Sequence, residues 1–300
     1  MDLGLTDARV LVTGGGSNVG RGIVHGFARE HARIAICDID GEQAEKVRGE
    51  ALELGATEAE VIAEDLTSDG AGDRAVGHLL TKWGGIDALV NNAGWSDAEF
   101  FAKDTDRARW QKTIEINLFT AIACTQAALT PMRNAGAGSI VFISSDAAFG
   151  QIRQGIYGST KAGLIAIART VAKEHGRHGI RSNVICPPGL VLPPADENAV
   201  GATSLWAAGR DNVFNEKQIE SLEKDIPPSA DSPRHTTSRT AWSSSARIRS
   251  RARSPGRCCP SAAGIRCHED RRSQSSREDP PAEENPKPPA TGSSSPLPKY

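Results

Sequence analysis

The stretch "VTGGGSNVGRG", residues 12–22, decides how the chain is read. It lies between the apolar run "ARVLVTG" at 8–14 and the helical pattern "GRGIVHGFAREHA" at 20–32. A short apolar run bounded by glycine reads as a buried strand, and Ile23, Phe27 and Ala28 share one helical face. Glycines at such a strand–helix junction let the backbone turn tightly and approach a pyrophosphate, whose charge is favoured at a helix N-terminus. Gly14, Ser17, Asn18, Val19 and Gly20 are therefore candidates for holding a dinucleotide. Asn18 stands at a turn position that often needs left-handed backbone, which asparagine tolerates better than other non-glycine residues. Asp38 ends the next strand-like run, "RIAICDID" at 33–40. A carboxylate there can accept from both ribose hydroxyls of NAD and repels the 2′-phosphate of NADP, which it therefore disfavours. A helix N-cap is the plainer reading of Asp38.

Outward from this junction, strands and helices alternate. "AEVIAEDL" (59–66), "IDALVNNAG" (86–94), "GSIVFISSDA" (138–147) and "IRSNVICPPG" (180–189) read as the third to sixth strands. The segments 42–55, 72–85, 109–136 and 157–176 read as helices, with 109–136 as one long helix. Strands alternating with helices of ten or more residues imply βαβ units. The expected fold is α/β, a three-layer, doubly wound parallel sheet of Rossmann type with six readable strands. One or two helices are expected over the carboxyl edge of the sheet within 190–226, where substrates usually bind.

Composition divides the chain. Across 300 residues, 38% are apolar, 24% are charged and the net charge is −2. Residues 1–226 read as one catalytic domain, whereas 227–300 are rich in Ser, Arg and Pro, with Ile248, Ile265 and Leu297 their only large aliphatics. Such a segment cannot bury enough apolar surface to offset roughly 1–2 kcal/mol of ordering entropy per residue, and it reads as a disordered tail. The N-terminal residues show no secretory pattern, and no run reaches the ~20 apolar residues of a membrane span. A cytoplasmic location is expected. Cys37, Cys124 and Cys186 stand singly in apolar settings and read as free thiols. Cys258, Cys259 and Cys267 are spaced poorly for zinc, and no metal site is expected.

The chemistry is carried by "YGSTK". Tyr157 and Lys161 lie four apart, hence on one helix face, directly after a strand ending in Ser144 and Ser145. A lysine ammonium near a phenol lowers its pKa from ~10 toward neutrality, giving a usable acid/base.

Taken together, the chain resembles the classical short-chain dehydrogenase/reductase family over about residues 3–226. The resemblance is carried by "TGGGSNVG", "EDL" (64–66), "NNAG" (91–94), "EINL" (115–118), "ISS" (143–145), "YGSTK" and "NVICPPG" (183–189). It implies a catalytic set of Asn117, Ser145, Tyr157 and Lys161. Tyr157 would be the acid/base, Lys161 would lower its pKa and bind the nicotinamide ribose, and Asn117 would anchor a relay water. Asp65 and Leu66 would flank the adenine, Asn91, Ala93 and Gly94 would line the cofactor, and Gly189 and Val191 would sit near the nicotinamide amide. The implied function is NAD-dependent interconversion of a secondary alcohol and a ketone in a homo-oligomer. A dinucleotide-binding protein without turnover, either a redox sensor or an inactive remnant, is the alternative. Spacing to Tyr157 points to Ser144 and the strand-end motif to Ser145, and we read Ser145 as catalytic. "CPPGLVLPP" has one residue more than usual before Gly189, and Pro193 replaces a common threonine. Trp95, Phe100, Phe101, Ile152, Trp206 and Phe214 suggest an apolar pocket; Arg153 reads as a solvated loop arginine, or one that meets a carboxylate or phosphate.

No segment of 227–300 reads as the family's closing seventh strand. One explanation is a genuine tail whose seven arginines between Arg234 and Arg257, with no acid among them, could touch acidic surfaces, though nucleic acid is an unfavoured partner. The other is a reading-frame change. One frame over, with third bases free, residues 257–269 can spell Val-Leu-Ser-Val-Ser-Gly-Gly and then Tyr-Ser-Met-Pro-stop, like that strand. Loss of the strand would weaken assembly.

Overall fold

A computed structural model describes residues 3–96 and 98–187. Gly189, Val191, the expected helices in 190–226 and the tail lie outside the described residues.

The described elements are β1 (Arg9–Thr13), α1 (Asn18–Arg29), β2 (Arg33–Asp38), α2 (Gly41–Glu53), β3 (Glu58–Ala63), α3 (Ala71–Trp83), β4 (Ala88–Asn91), α4 (Arg107–Ile114), α5 (Thr120–Ala135), β5 (Gly138–Ile143), α6 (Gly155–His175) and β6 (Ile180–Ile185). The six strands form one sheet in the order β3-β2-β1-β4-β5-β6, and every pairing is parallel.

Period-two side-chain alternation builds the three layers. Val10, Val12, Ile34 and Ile36 face a core shared with Ile23, Val24 and Phe27 of α1 and Val47 of α2. Leu11, Ala35, Leu89 and Phe142 face the opposite core, with Leu79 of α3, Met132 of α5 and Leu164 of α6. Buried on both faces, the strands have to be apolar throughout, which is why each reads as an unbroken run. Each fully buried Val, Leu or Ile contributes about 1.5–3 kcal/mol. A bidentate ion pair ties the start of β1 to the residue before β4: Arg9 Nε and Nη2 donate to Asp87 at 2.8 and 2.7 Å.

The segment expected to be one long helix is interrupted. Between α4 and α5, Glu115–Phe119 form a π-helical turn. The cause is Asn117, which is fully buried. Its Nδ2 donates to the Thr113 carbonyl at 2.9 Å, the acceptor that the Asn117 N–H would take in an α-helix. The side chain competes for that bond, and the backbone widens by one residue.

Sheet order reverses between β1 and β4. The loops that follow these two strands therefore diverge and leave a crevice at their carboxyl ends, the usual ligand site of open α/β sheets.

Candidate active site

One wall of the crevice is the glycine turn. Gly14 has φ +62° and Asn18 has φ +48°, so the left-handed conformation expected at Asn18 is present. A Cβ on Gly20 would lie 1.9 Å from the Gly14 carbonyl oxygen, and only glycine fits. Ser17, extended at φ −151°, precedes α1, whose first residues include Val19. Gly16 N donates to Asp38 Oδ2 at 2.8 Å, and Asp40 N donates to Oδ1 at 3.0 Å. Burial pushes the Asp38 carboxyl upward in pKa, while these backbone donors pull it the other way. The carboxylate thus stands at the end of β2 against the turn, where a ribose would lie.

The second wall follows β4. Thr13 Oγ1 accepts from the amides of Asn92 and Ala93, both at 3.0 Å. Asn92 Nδ2 donates to the carbonyls of Thr13 and Gly14 at 3.0 and 2.8 Å. Of the two asparagines in "NNAG", sequence reading selected Asn91, and the two side chains have different surroundings. Asn91 is buried, and its Nδ2 donates at 3.0 Å to Thr125 on α5. Alternation at the strand end sends its side chain into the helix layer, so it can line a cofactor through backbone alone. Asn92, which points back to the glycine turn, was missed, as was Thr13. An asparagine that repeatedly binds the preceding strand's turn carries no signal in sequence. Asp65 is exposed and accepts from Thr67 N and Oγ1; Leu66 packs half-buried against the second core.

The third group surrounds Lys161, on the first turns of α6. Lys161 is buried, and its Nζ donates to the Ile143 carbonyl at 3.0 Å. A Cβ on Gly94 would lie 2.8 Å from Asn117 Oδ1 and 3.2 Å from Lys161 Nζ, which places these two groups together on the same side of Gly94. Asn117 Oδ1 accepts from Trp95 N at 3.1 Å, and its Nδ2 donates to Trp95 O at 2.6 Å. The Asn117 side chain is thereby committed to Trp95 and Thr113.

The two serines part ways. Ser144 is buried, and its hydroxyl donates to the Lys161 carbonyl at 2.7 Å. Ser145 Oγ accepts from Ala147 N and donates to Asp146 Oδ1, both at 3.1 Å, and it lies near enough to Tyr157 to draw the phenol's pKa downward. Ser145 thus neighbours Tyr157, whereas the Ser144 hydroxyl is tied to the backbone of α6.

The expected lowering of the Tyr157 pKa by Lys161 is absent from this state. Burial pushes the phenol up to about 12, with the Ser145 hydrogen bond acting the other way. Burial also pushes Lys161 down to about 8. The ammonium lies 5.5 Å from the Tyr157 ring centroid and is turned to a carbonyl, so desolvation outweighs their attraction.

The model of the family described as short chain dehydrogenase matches residues 8–200. The chain belongs to that family. It is an oxidoreductase of the dehydrogenase/reductase type acting on CH–OH groups. It is 36% identical over 197 residues (65% of this chain, 78% of the relative) to the (2S)-[(R)-hydroxy(phenyl)methyl]succinyl-CoA dehydrogenase subunit of Thauera aromatica. To the sorbitol dehydrogenase of Cereibacter sphaeroides it is 36% identical over 179 residues (59% and 68%). Among solved structures, NAD+-bound xylitol dehydrogenase superposes with a TM-score of 0.59 at 31% identity, covering 61% of this chain and 71% of that one. A short-chain alcohol dehydrogenase of Sinorhizobium meliloti gives 0.61 at 30% identity (65% and 77%). No helix among the described residues is long and apolar enough to cross a membrane, and no cluster among them could hold a metal ion.

Proposed function

We propose that this chain is an NAD-dependent dehydrogenase that interconverts a secondary alcohol and a ketone, with Tyr157 as acid/base, Ser145 and Lys161 beside it, and Asn117 holding the site together. The observation that carries this reading is the placement of Asn117 Oδ1 and Lys161 Nζ together beside Gly94, with Ser145 next to Tyr157, on a sheet whose glycine turn binds Asp38.

The residues present fit a dinucleotide. The tight Gly14–Gly20 turn forms only because Gly20 lacks a Cβ that would strike the Gly14 carbonyl, and the N-terminus of α1 that follows it favours the charge of a pyrophosphate. Asp38 suits the two ribose hydroxyls of NAD and opposes a 2′-phosphate. When bound, NAD supplies the acceptor for the hydride that leaves the carbinol carbon.

The rest of the chemistry belongs to the chain. Ser145 Oγ holds the substrate oxygen, and Tyr157 Oη exchanges a proton with it. A phenol held near 12 is almost wholly protonated at neutral pH, so this state is set to donate a proton to a ketone oxygen. Oxidation of an alcohol requires the phenolate, and hence a closer approach of the Lys161 ammonium, which is present below about pH 8. The relatives include a sorbitol dehydrogenase and a xylitol dehydrogenase, both named for oxidation of a carbinol carbon, which supports the alcohol–ketone couple. Buried free thiols at Cys37 and Cys124 agree with a reducing cytoplasm.

The test is NAD binding by titration followed by NADH formation with a panel of secondary alcohols. Binding with turnover is expected. Binding without turnover across aryl, alkyl and polyol alcohols would favour the sensor or remnant instead.

A further inference from the structure

Next to Asn117 and just before Tyr157 in the chain, aromatic rings have cations laid on them. Lys112 Nζ lies 4.8 Å from the Trp95 ring centroid. The Phe100 ring carries two cations, Arg153 at 5.4 Å and Lys103 at 5.8 Å. Both platforms are fastened to the catalytic residues. Trp95 exchanges backbone hydrogen bonds with Asn117. Arg153 precedes Tyr157 by four residues, and its loop is bridged to the Phe100 loop through Glu99 and Gln154.

Arg153 is not an ordinary loop arginine. Its backbone is left-handed at φ +67°, a conformation that a side-chain-bearing residue holds only under strain. One terminal nitrogen donates to Ala98 O at 3.0 Å, while its Nε–H is buried with no acceptor. An unpaired buried donor is destabilising and calls for a missing partner. Among the described residues no carboxylate lies within 4.0 Å of Arg153, Lys103 or Lys112. The nearby acids are engaged elsewhere: Asp104 with Arg109 and Trp110, Asp106 with the first amides of α4, and Glu99 with Phe100 N. Ile152 and Phe101 are 79% and 74% exposed beside this cluster, far more than large apolar side chains need to be.

We infer that Arg153 is a specificity-determining residue, and that the substrate is an apolar hydroxy acid (or the matching keto acid) whose carboxylate it receives. An arginine fork with free donors fits a carboxylate in bidentate fashion. The exposed Phe101 and Ile152 receive the apolar body, and Lys112 and Lys103 strengthen the positive field around it. This rests on the alcohol–ketone reading above and narrows it: neutral polyols, the substrates for which two relatives are named, fit this cluster poorly.

The test is calorimetric titration of the full chain, saturated with NADH so that an alcohol cannot react. The probes are 3-hydroxy-3-phenylpropanoate, its methyl ester and xylitol. The acid is expected to bind about 10- to 100-fold more tightly than the ester. That ratio should collapse toward unity in Arg153→Gln and recover in part in Arg153→Lys, with NADH affinity and melting temperature checked in each variant. Should Arg153→Gln fail to fold, Lys112→Gln, on an exposed helix face, must lower the same ratio a few-fold. Equal binding of acid and ester, a ratio that survives Arg153→Gln, or binding of xylitol alone would overturn the inference while leaving a dehydrogenase in place. Failure to bind NADH would overturn the dinucleotide reading and this inference with it.

Discussion

The two halves of the sheet are built on different physical rules. In the half made by β1, β2 and β3, the site is a matter of missing side chains. Gly20 has to let a carbonyl pass, and Gly16 has to reach a carboxylate. In the half made by β4, β5 and β6, the site is a matter of buried polar groups held by one another: Lys161 by Ile143, Asn117 by Trp95 and Thr113, Tyr157 by Ser145. The first kind of site is set by sterics and tolerates little change. The second is set by electrostatics and responds to pH and ligand.

Substitutions can separate the halves. Gly20→Ala places a methyl 1.9 Å from a backbone oxygen, so the turn must open. NAD affinity should fall by at least about 100-fold in titration, with stability lowered by about 1–3 kcal/mol. Unchanged affinity would mean that the turn is not the cradle.

The serines make a sharper pair. Ser145→Ala should lower turnover by roughly 100- to 1000-fold, far beyond the roughly 0.5–2 kcal/mol of stability lost with its cap to Ala147 N. Ser144→Ala should instead lower stability by about 1–3 kcal/mol in denaturant titration, since the Lys161 carbonyl loses its buried donor. The reverse outcome would exchange their roles.

Asp38→Asn tests the first half by charge rather than shape. Removing the carboxylate should shift the ratio of NADP to NAD affinity toward NADP by at least about tenfold.

A different kind of effect, read through pH, belongs to Lys161. Its folded pKa, about 8, lies below the usual lysine value of 10.5. Below pH 8 the folded protein carries the full penalty of a buried ammonium. Between pH 8 and 10.5 the unfolded chain binds more protons than the folded one, so stability rises with pH. Lys161→Met should therefore be more stable than the parent by a constant margin below pH 8, and that margin should shrink as pH climbs toward 10.5.

This division also explains what was legible in the sequence. Steric rules are local, so the glycine turn, the left-handed Asn18 and the parallel sheet could be read from residues 8–40 and the alternation beyond them. Buried polar networks join distant segments and leave no local trace. Asn92 and Thr13 went unseen, the bond between Asn91 and Thr125 has no local signature, and the π turn at Asn117 was read as plain helix. The resemblance to a known family named Tyr157 and Lys161, yet the upward shift of the phenol comes from burial, a property no motif records.

The most direct test is Tyr157→Phe measured twice on the full chain, by NAD titration and by NADH formation with an accepted alcohol. The account predicts unchanged NAD affinity, because the glycine turn and Asp38 are untouched, and turnover reduced by about 100- to 10,000-fold. Turnover equal to that of the parent chain would contradict it.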